Sequence, residues 1–157
     1  MNISSKSTTI PLRRAAPFAL LLLASANLYA QQPILISLNG DAEVPPVTTS
    51  AKGTGNINVM PDRTVSGSIK VFGLVPTAAH IHEGAVGKNG PPIITLTQTA
   101  SDSFAVPAGA SLTDAQYTGF TIGKLYVNVH SAQYPNGEIR AQLLRAATAA
   151  TPTRAAY

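Results

Sequence analysis

All three histidines of this chain fall in two short patches: His80 and His82 in AAHIHEGAVGKNGPP, and His130 in KLYVNVHSAQYPNGEIRAQL. Side chains alternate along a strand, so a His-x-His turns both imidazoles to one face. A third imidazole on a neighbouring strand completes a donor set for a transition metal, and imidazole suits copper, zinc, iron or nickel. A lone histidine is more often a polar-face residue bonded into a loop. A His-x-His joined by the chain's only other histidine points to one bound ion, copper or zinc, with copper(II) ahead on intrinsic affinity.

The segments that must position these residues read as β-strands. Residues 35–38, 53–59, 64–72, 79–82, 93–97, 103–106, 124–130 and 138–144 are short, apolar-alternating or apolar runs bounded by turn residues, the pattern of an all-β sandwich of seven or eight antiparallel strands. Pro61-Asp62-Arg63 sits between two of them as a hairpin turn. One short helix is expected over 113–117, where Thr113 and Gln116 form a capping-box pattern and Gly119 supplies a stop.

The last hairpin has a definite register. If Val129 pairs with Ile139, then Leu125, Val127, Ala141 and Leu143 join them on the core face. His130 then opposes Glu138, Asn128 opposes Arg140, and Tyr126 opposes Gln142 on the other face. Glu138 is thus placed as the carboxylate that would orient a ligand histidine, although Glu138 and Arg140 can also simply pair with each other. Ile81 points to the core, leaving His80 and His82 on the outer face. Glu83 and the glycine-rich loop 84–92 follow directly, with Asn89-Gly90 as its turn. Tyr126 and Tyr134 are expected to pack. Glu43, before Pro45-Pro46, is expected to anchor a loop.

The first 30 residues read as a secretory leader. Lys6, Arg13 and Arg14 form a basic start, residues 15–23 a short apolar run, and small residues follow, with cleavage after Ala26 or Ala30. The apolar run falls short of the about 20 residues a membrane span needs. With those three cations removed, eight Lys and Arg face seven Asp and Glu, leaving about +1 and no electrostatic footprint for nucleic acid. The expected product is secreted or periplasmic, with no transmembrane segment once the leader is gone and no disulfide, since the chain has no cysteine. Residues 31–145 form one domain, and 146–157, alanine- and threonine-rich with Pro152, are expected to be disordered.

LNGDAEVPPVTTSAKGTG (38–55), VSGSIKVFGL (65–74), AAHIHEGAVGKNGPP (78–92) and LYVNVHSAQYPNGEIRAQL (125–143) together resemble the CHRD family, named after chordin and also found as single-domain exported bacterial proteins. The resemblance implies an immunoglobulin-like or superoxide-dismutase-like Greek-key sandwich. It carries over neither an activity nor chordin's growth-factor partner. A more distant likeness to copper/zinc superoxide dismutases touches only the three histidines. Those enzymes need further histidines, an aspartate ligand and a disulfide, so a two-metal site cannot be assembled here.

The reading placed first is an exported protein binding one copper or zinc ion through His80, His82 and His130, with Glu138, Arg140, Glu83 and Asn128 around them. A metal-dependent redox enzyme and a metal-free interaction module are the alternatives. No Ser-His-Asp set or paired carboxylates support a hydrolase, and GAVGKNG lacks the strand–loop–helix setting of a phosphate loop.

Overall fold

The computed structural model describes residues 32–145, together with Met1. The expected leader beyond Met1 and the tail 146–157 lie outside the described residues. Among the described residues are nine strands: β1 (Ile34–Asn39), β2 (Lys52–Val59), β3 (Val65–Phe72), β4 (Pro76–Glu83), β5 (Pro92–Thr95), β6 (Thr97–Ala100), β7 (Ser103–Ala105), β8 (Leu125–Ser131) and β9 (Ile139–Gln142). A 3-10 turn at Gly40–Ala42 follows β1, and an α-helix, α1 (Asp114–Thr121), precedes β8. None of the described helices is long and apolar enough to cross a membrane.

The strands hydrogen-bond in the order β5-β4-β8-β9-β1-β2-β3-β7-β6, and every pairing is antiparallel. The two ends of that order, β5 and β6, are consecutive in the chain and separated by Leu96 alone. Leu96 is buried, and its N–H donates to the Ala79 carbonyl of β4 at 2.9 Å. The run 92–100 therefore leaves β4 and joins β7 at a single residue, as strands do at the corner of a sandwich. The sheet all but closes around one core. The ninth strand beyond the expected count is β6, whose sequence TQTA is exposed at every position and carries no alternation to read.

Period-2 patterning fixes the faces. Ile57 and Val59 of β2, Val65, Ile69 and Val71 of β3, and Ile81 of β4 are all buried in the core. The β8–β9 register is the expected one: Val129 pairs with Ile139 and Val127 with Ala141, and Leu125, Val127, Val129, Ile139 and Leu143 are fully buried. The β2–β3 turn closes with Arg63 at φ 73°.

Helix α1 starts as expected, with Thr113 accepting from Gln116 N–H while the Gln116 side chain returns to Thr113 N–H. It ends later than expected. Gly119 is buried inside the helix, and the left-handed residue that terminates it is Gly123, at φ 72°. The N–H groups of Gly123 and Lys124 close back on the Phe120 and Gly119 carbonyls, the bonding expected of a glycine stop.

The second departure concerns the outer face of β4, β8 and β9. Its alternation reads as solvent-facing, yet Tyr126, Asn128, Glu138 and Arg140 are buried there. Two loops, 40–47 and 84–92, lie over it. They are tied to each other by the Asn89 amide, which donates to the Val44 carbonyl at 2.7 Å. They are tied to the sheet by Arg140 and Gln142. A layer of polar side chains is thus enclosed between sheet and loops, beside the histidines.

Candidate metal centre

His80 and His82 stand on β4 and His130 near the end of β8. Those strands pair with His80 opposite Asn128 and Ala78 opposite His130, so His130 is a diagonal neighbour of His80 on the shared outer face. One ring nitrogen from each histidine falls within 4.8 Å of the other two. His80 Nδ1 and His130 Nε2 are 2.9 Å apart. Around a tetrahedral ion with bonds near 2.0–2.1 Å, neighbouring nitrogens lie about 3.3 Å apart. Small ring rotations therefore separate the three imidazoles from a ligand set.

The backbone sets how two of these rings are protonated. His82 Nδ1 lies 2.8 Å from the Gly90 carbonyl, and His130 Nδ1 lies 2.9 Å from the Pro135 carbonyl. A carbonyl only accepts, so each Nδ1 carries the proton and each neutral ring presents a bare Nε2 lone pair. The His130 lone pair receives the His80 Nδ1 proton. The His82 Nε2 is buried with no hydrogen-bond partner, as is the neighbouring Oδ1 of Asn128. A buried, unpaired acceptor is costly, and an imidazole lone pair in this state is what a metal site offers.

Electrostatics favour the neutral, ligating form. Burial holds the His80 imidazole below its ordinary range, and the nearby His130 and His82 push the same way. Burial is also the main cause lowering His82; the Gly90 carbonyl and, more weakly, the Asn128 side chain oppose it, while His130 and Arg140 add to it.

The surrounding residues differ from the expected pairings. Glu138 does not orient His130; its carboxylate accepts from the Thr49 hydroxyl at 2.8 Å, because the 131–137 turn brings the Pro135 carbonyl to His130 first. Arg140 does not pair with Glu138 either. Its Nε and Nη2 both donate to Glu43 Oε2, at 2.9 and 2.8 Å, with both side chains buried. Burial raises the Glu43 carboxyl above its ordinary value, against the pull of Arg140. Glu83 lies with its carboxylate toward α1, 3.5 Å from where a Cβ on Gly119 would sit. Asn128 stays beside the site, buried between His80 and Arg140 in the register.

Tyr126 is the residue whose part sequence reasoning missed. Its ring stacks on His82 at 4.9 Å with an interplanar angle of 11°, and the Arg140 guanidinium lies over it at 3.9 Å. Tyr134, also expected only to pack, takes its place in the 131–137 turn through its backbone. The one available signal for Tyr126 was its place on the same β8 face as His130.

No curated protein and no solved structure matches the chain. A family model described as the CHRD domain matches residues 35–143, from β1 to just past β9 and including all three histidines, so the chain belongs to the CHRD-domain family.

Proposed function

We propose that this CHRD-domain protein is exported and holds a single copper or zinc ion through His80, His82 and His130. The observation that carries the reading is the buried, unpartnered Nε2 of His82, on a ring that offers one nitrogen within 4.8 Å of donor nitrogens from both other histidines. The Nδ1 protons anchored on Gly90 and Pro135 leave Nε2 as the donor atom in His82 and His130. His80 must turn its Nδ1 proton away from His130, or carry it on Nε2 instead, before all three rings can face one ion, and binding weakens in acid because protons compete for the ligand nitrogens. Copper stands ahead of zinc because nothing in an all-imidazole set disfavours it. The role would be to bind or buffer metal outside the cytoplasm.

Three protein donors leave a coordination position open, and His80 and His130 are half-exposed beside it. That feature favours, as a second reading, redox chemistry on superoxide or a related oxidant. Metal analysis of protein expressed with its leader into the periplasm, with the intact mass measured on the same sample, tests the proposal. About one equivalent of copper or zinc and a chain starting at Asn27 or Gln31 are expected. A metal-free product or an uncleaved leader would contradict the respective half. Bound metal without superoxide consumption would remove the redox reading and leave the binding role.

A further inference from the structure

We infer that Arg140 is a positioning residue for the metal centre: it touches no histidine hydrogen-bonding atom, yet it fixes the carbonyl that sets the His82 tautomer. The inference rests on the metal-binding reading above and extends it to the loop 84–92. Three successive residues of that loop are held from the sheet. Arg140 Nη1 donates to the Lys88 carbonyl at 3.2 Å and Nη2 to the Asn89 side-chain oxygen at 2.6 Å. The Tyr126 hydroxyl accepts from Gly90 N–H at 3.2 Å. The Gly90 carbonyl so placed receives the His82 Nδ1 proton at 2.8 Å.

Arg140 is itself immobilised. Two of its nitrogens meet Glu43, 97 positions away in sequence, and its guanidinium plane lies over Tyr126, the ring on which His82 stacks. β8 lies between β4 and β9 in the sheet, so Tyr126 is reached from one side by His82 and from the other by Arg140. One planar guanidinium thus orients His82 by two routes: through the loop backbone to Nδ1, and through the Tyr126 ring to the imidazole plane. The fork geometry matters, because four acceptor contacts in fixed directions are beyond a lysine ammonium on a flexible stem. Gly90 allows the close approach: a Cβ there would sit 1.7 Å from the Glu83 carbonyl oxygen.

The test compares wild type, Arg140→Lys and Asn89→Ala in the full exported protein. Nitrogen-15 NMR of the metal-free form reads the His82 tautomer, and competition titration reads copper(II) affinity. In wild type, His82 should be wholly in the Nδ1–H form. In both variants a mixture with the Nε2–H form is expected, and copper affinity should fall about 10- to 100-fold, the usual effect of disturbing a ligand's orienting partner. Should Arg140→Lys fail to fold, Asn89→Ala decides, since Asn89 is exposed and its loss leaves the Glu43–Arg140 pair intact. Folded variants with an unchanged tautomer and wild-type affinity would overturn the inference. A wild type that takes up no copper while the variants shift tautomer would sink the metal reading and keep the positioning role.

Discussion

His82 and Tyr126 face each other across β4 and β8 with their rings nearly parallel, 4.9 Å apart at 11°. Both are buried. A donor histidine is therefore packed against an aromatic wall that is itself capped by a cation. Removing the wall should cost more than removing its hydroxyl. Tyr126→Phe keeps the stack and loses the contacts to Gly90, an expected loss of about 1 kcal/mol. Tyr126→Ala opens a cavity, with an expected loss of about 3–5 kcal/mol. Urea unfolding midpoints check the order, and equal losses would mean the stack contributes nothing.

Gly137 marks how closely the chain passes the buried polar layer. Its φ is 126°, and a Cβ there would lie 2.5 Å from Glu43 Oε1 and 2.7 Å from Asn128 Nδ2. Gly137→Ala should destabilise by about 1–3 kcal/mol from the backbone conformation alone, with the clash adding to it. An unchanged thermal midpoint would show that the layer is looser than described.

The pH dependence of the metal-free protein follows from the lowered His80 and His82. Near pH 6.5 and below, the unfolded chain takes up protons that these two folded imidazoles resist, so stability rises with pH through that window. It should be fully present above about pH 6.5 and be lost as the pH falls through their lowered folded values. Glu43 works in the opposite sense: its raised carboxyl contributes stability below its ordinary value, lost as the pH rises through the folded one. Unfolding midpoints between pH 5 and 7.5 should therefore drop toward acid in wild type. The decline should flatten in the His80→Ala/His82→Ala variant, and an equally steep decline there would assign the effect to other groups.

The same lowered imidazoles keep their lone pairs free in mild acid. Metal should then be retained to a lower pH than an ordinary imidazole near 6.5 would allow. Release of bound copper or zinc monitored from pH 7 downward checks this, and half-release at or above pH 6.5 would contradict it.

Much of the frame was legible because alternation is a local property. Val127 and Val129 against Ala141 and Ile139 could be set in register from their own hairpin, and Thr113 with Gln116 announced the start of α1. The three histidines came together because period 2 put His80 and His82 on one face and the hairpin register put His130 on the corresponding one. What surrounds them was not legible. Tyr126, Asn128 and Arg140 alternate as solvent-facing residues do, and only the long-range folding of loops 40–47 and 84–92 buries them. Glu43 reaches Arg140 from 97 residues away, so the cross-strand neighbour Glu138 looked the nearer carboxylate for both Arg140 and His130. The carbonyls that orient His82 and His130 belong to Gly90 and Pro135, and backbone acceptors leave no trace in residue type. β6 escaped because TQTA, exposed at every position, carries no apolar alternation.

The most direct test of the metal centre is a copper(II) and zinc titration of the protein starting at Gln31 beside a variant with His80, His82 and His130 all changed to alanine. Fold retention in the variant would be checked by circular dichroism. Wild type should bind one equivalent through nitrogen donors, visible for copper(II) as imidazole hyperfine structure in its electron spin resonance, and the folded variant should show no stoichiometric binding. Equal binding by the two proteins, or none by wild type, would contradict the three-histidine metal centre.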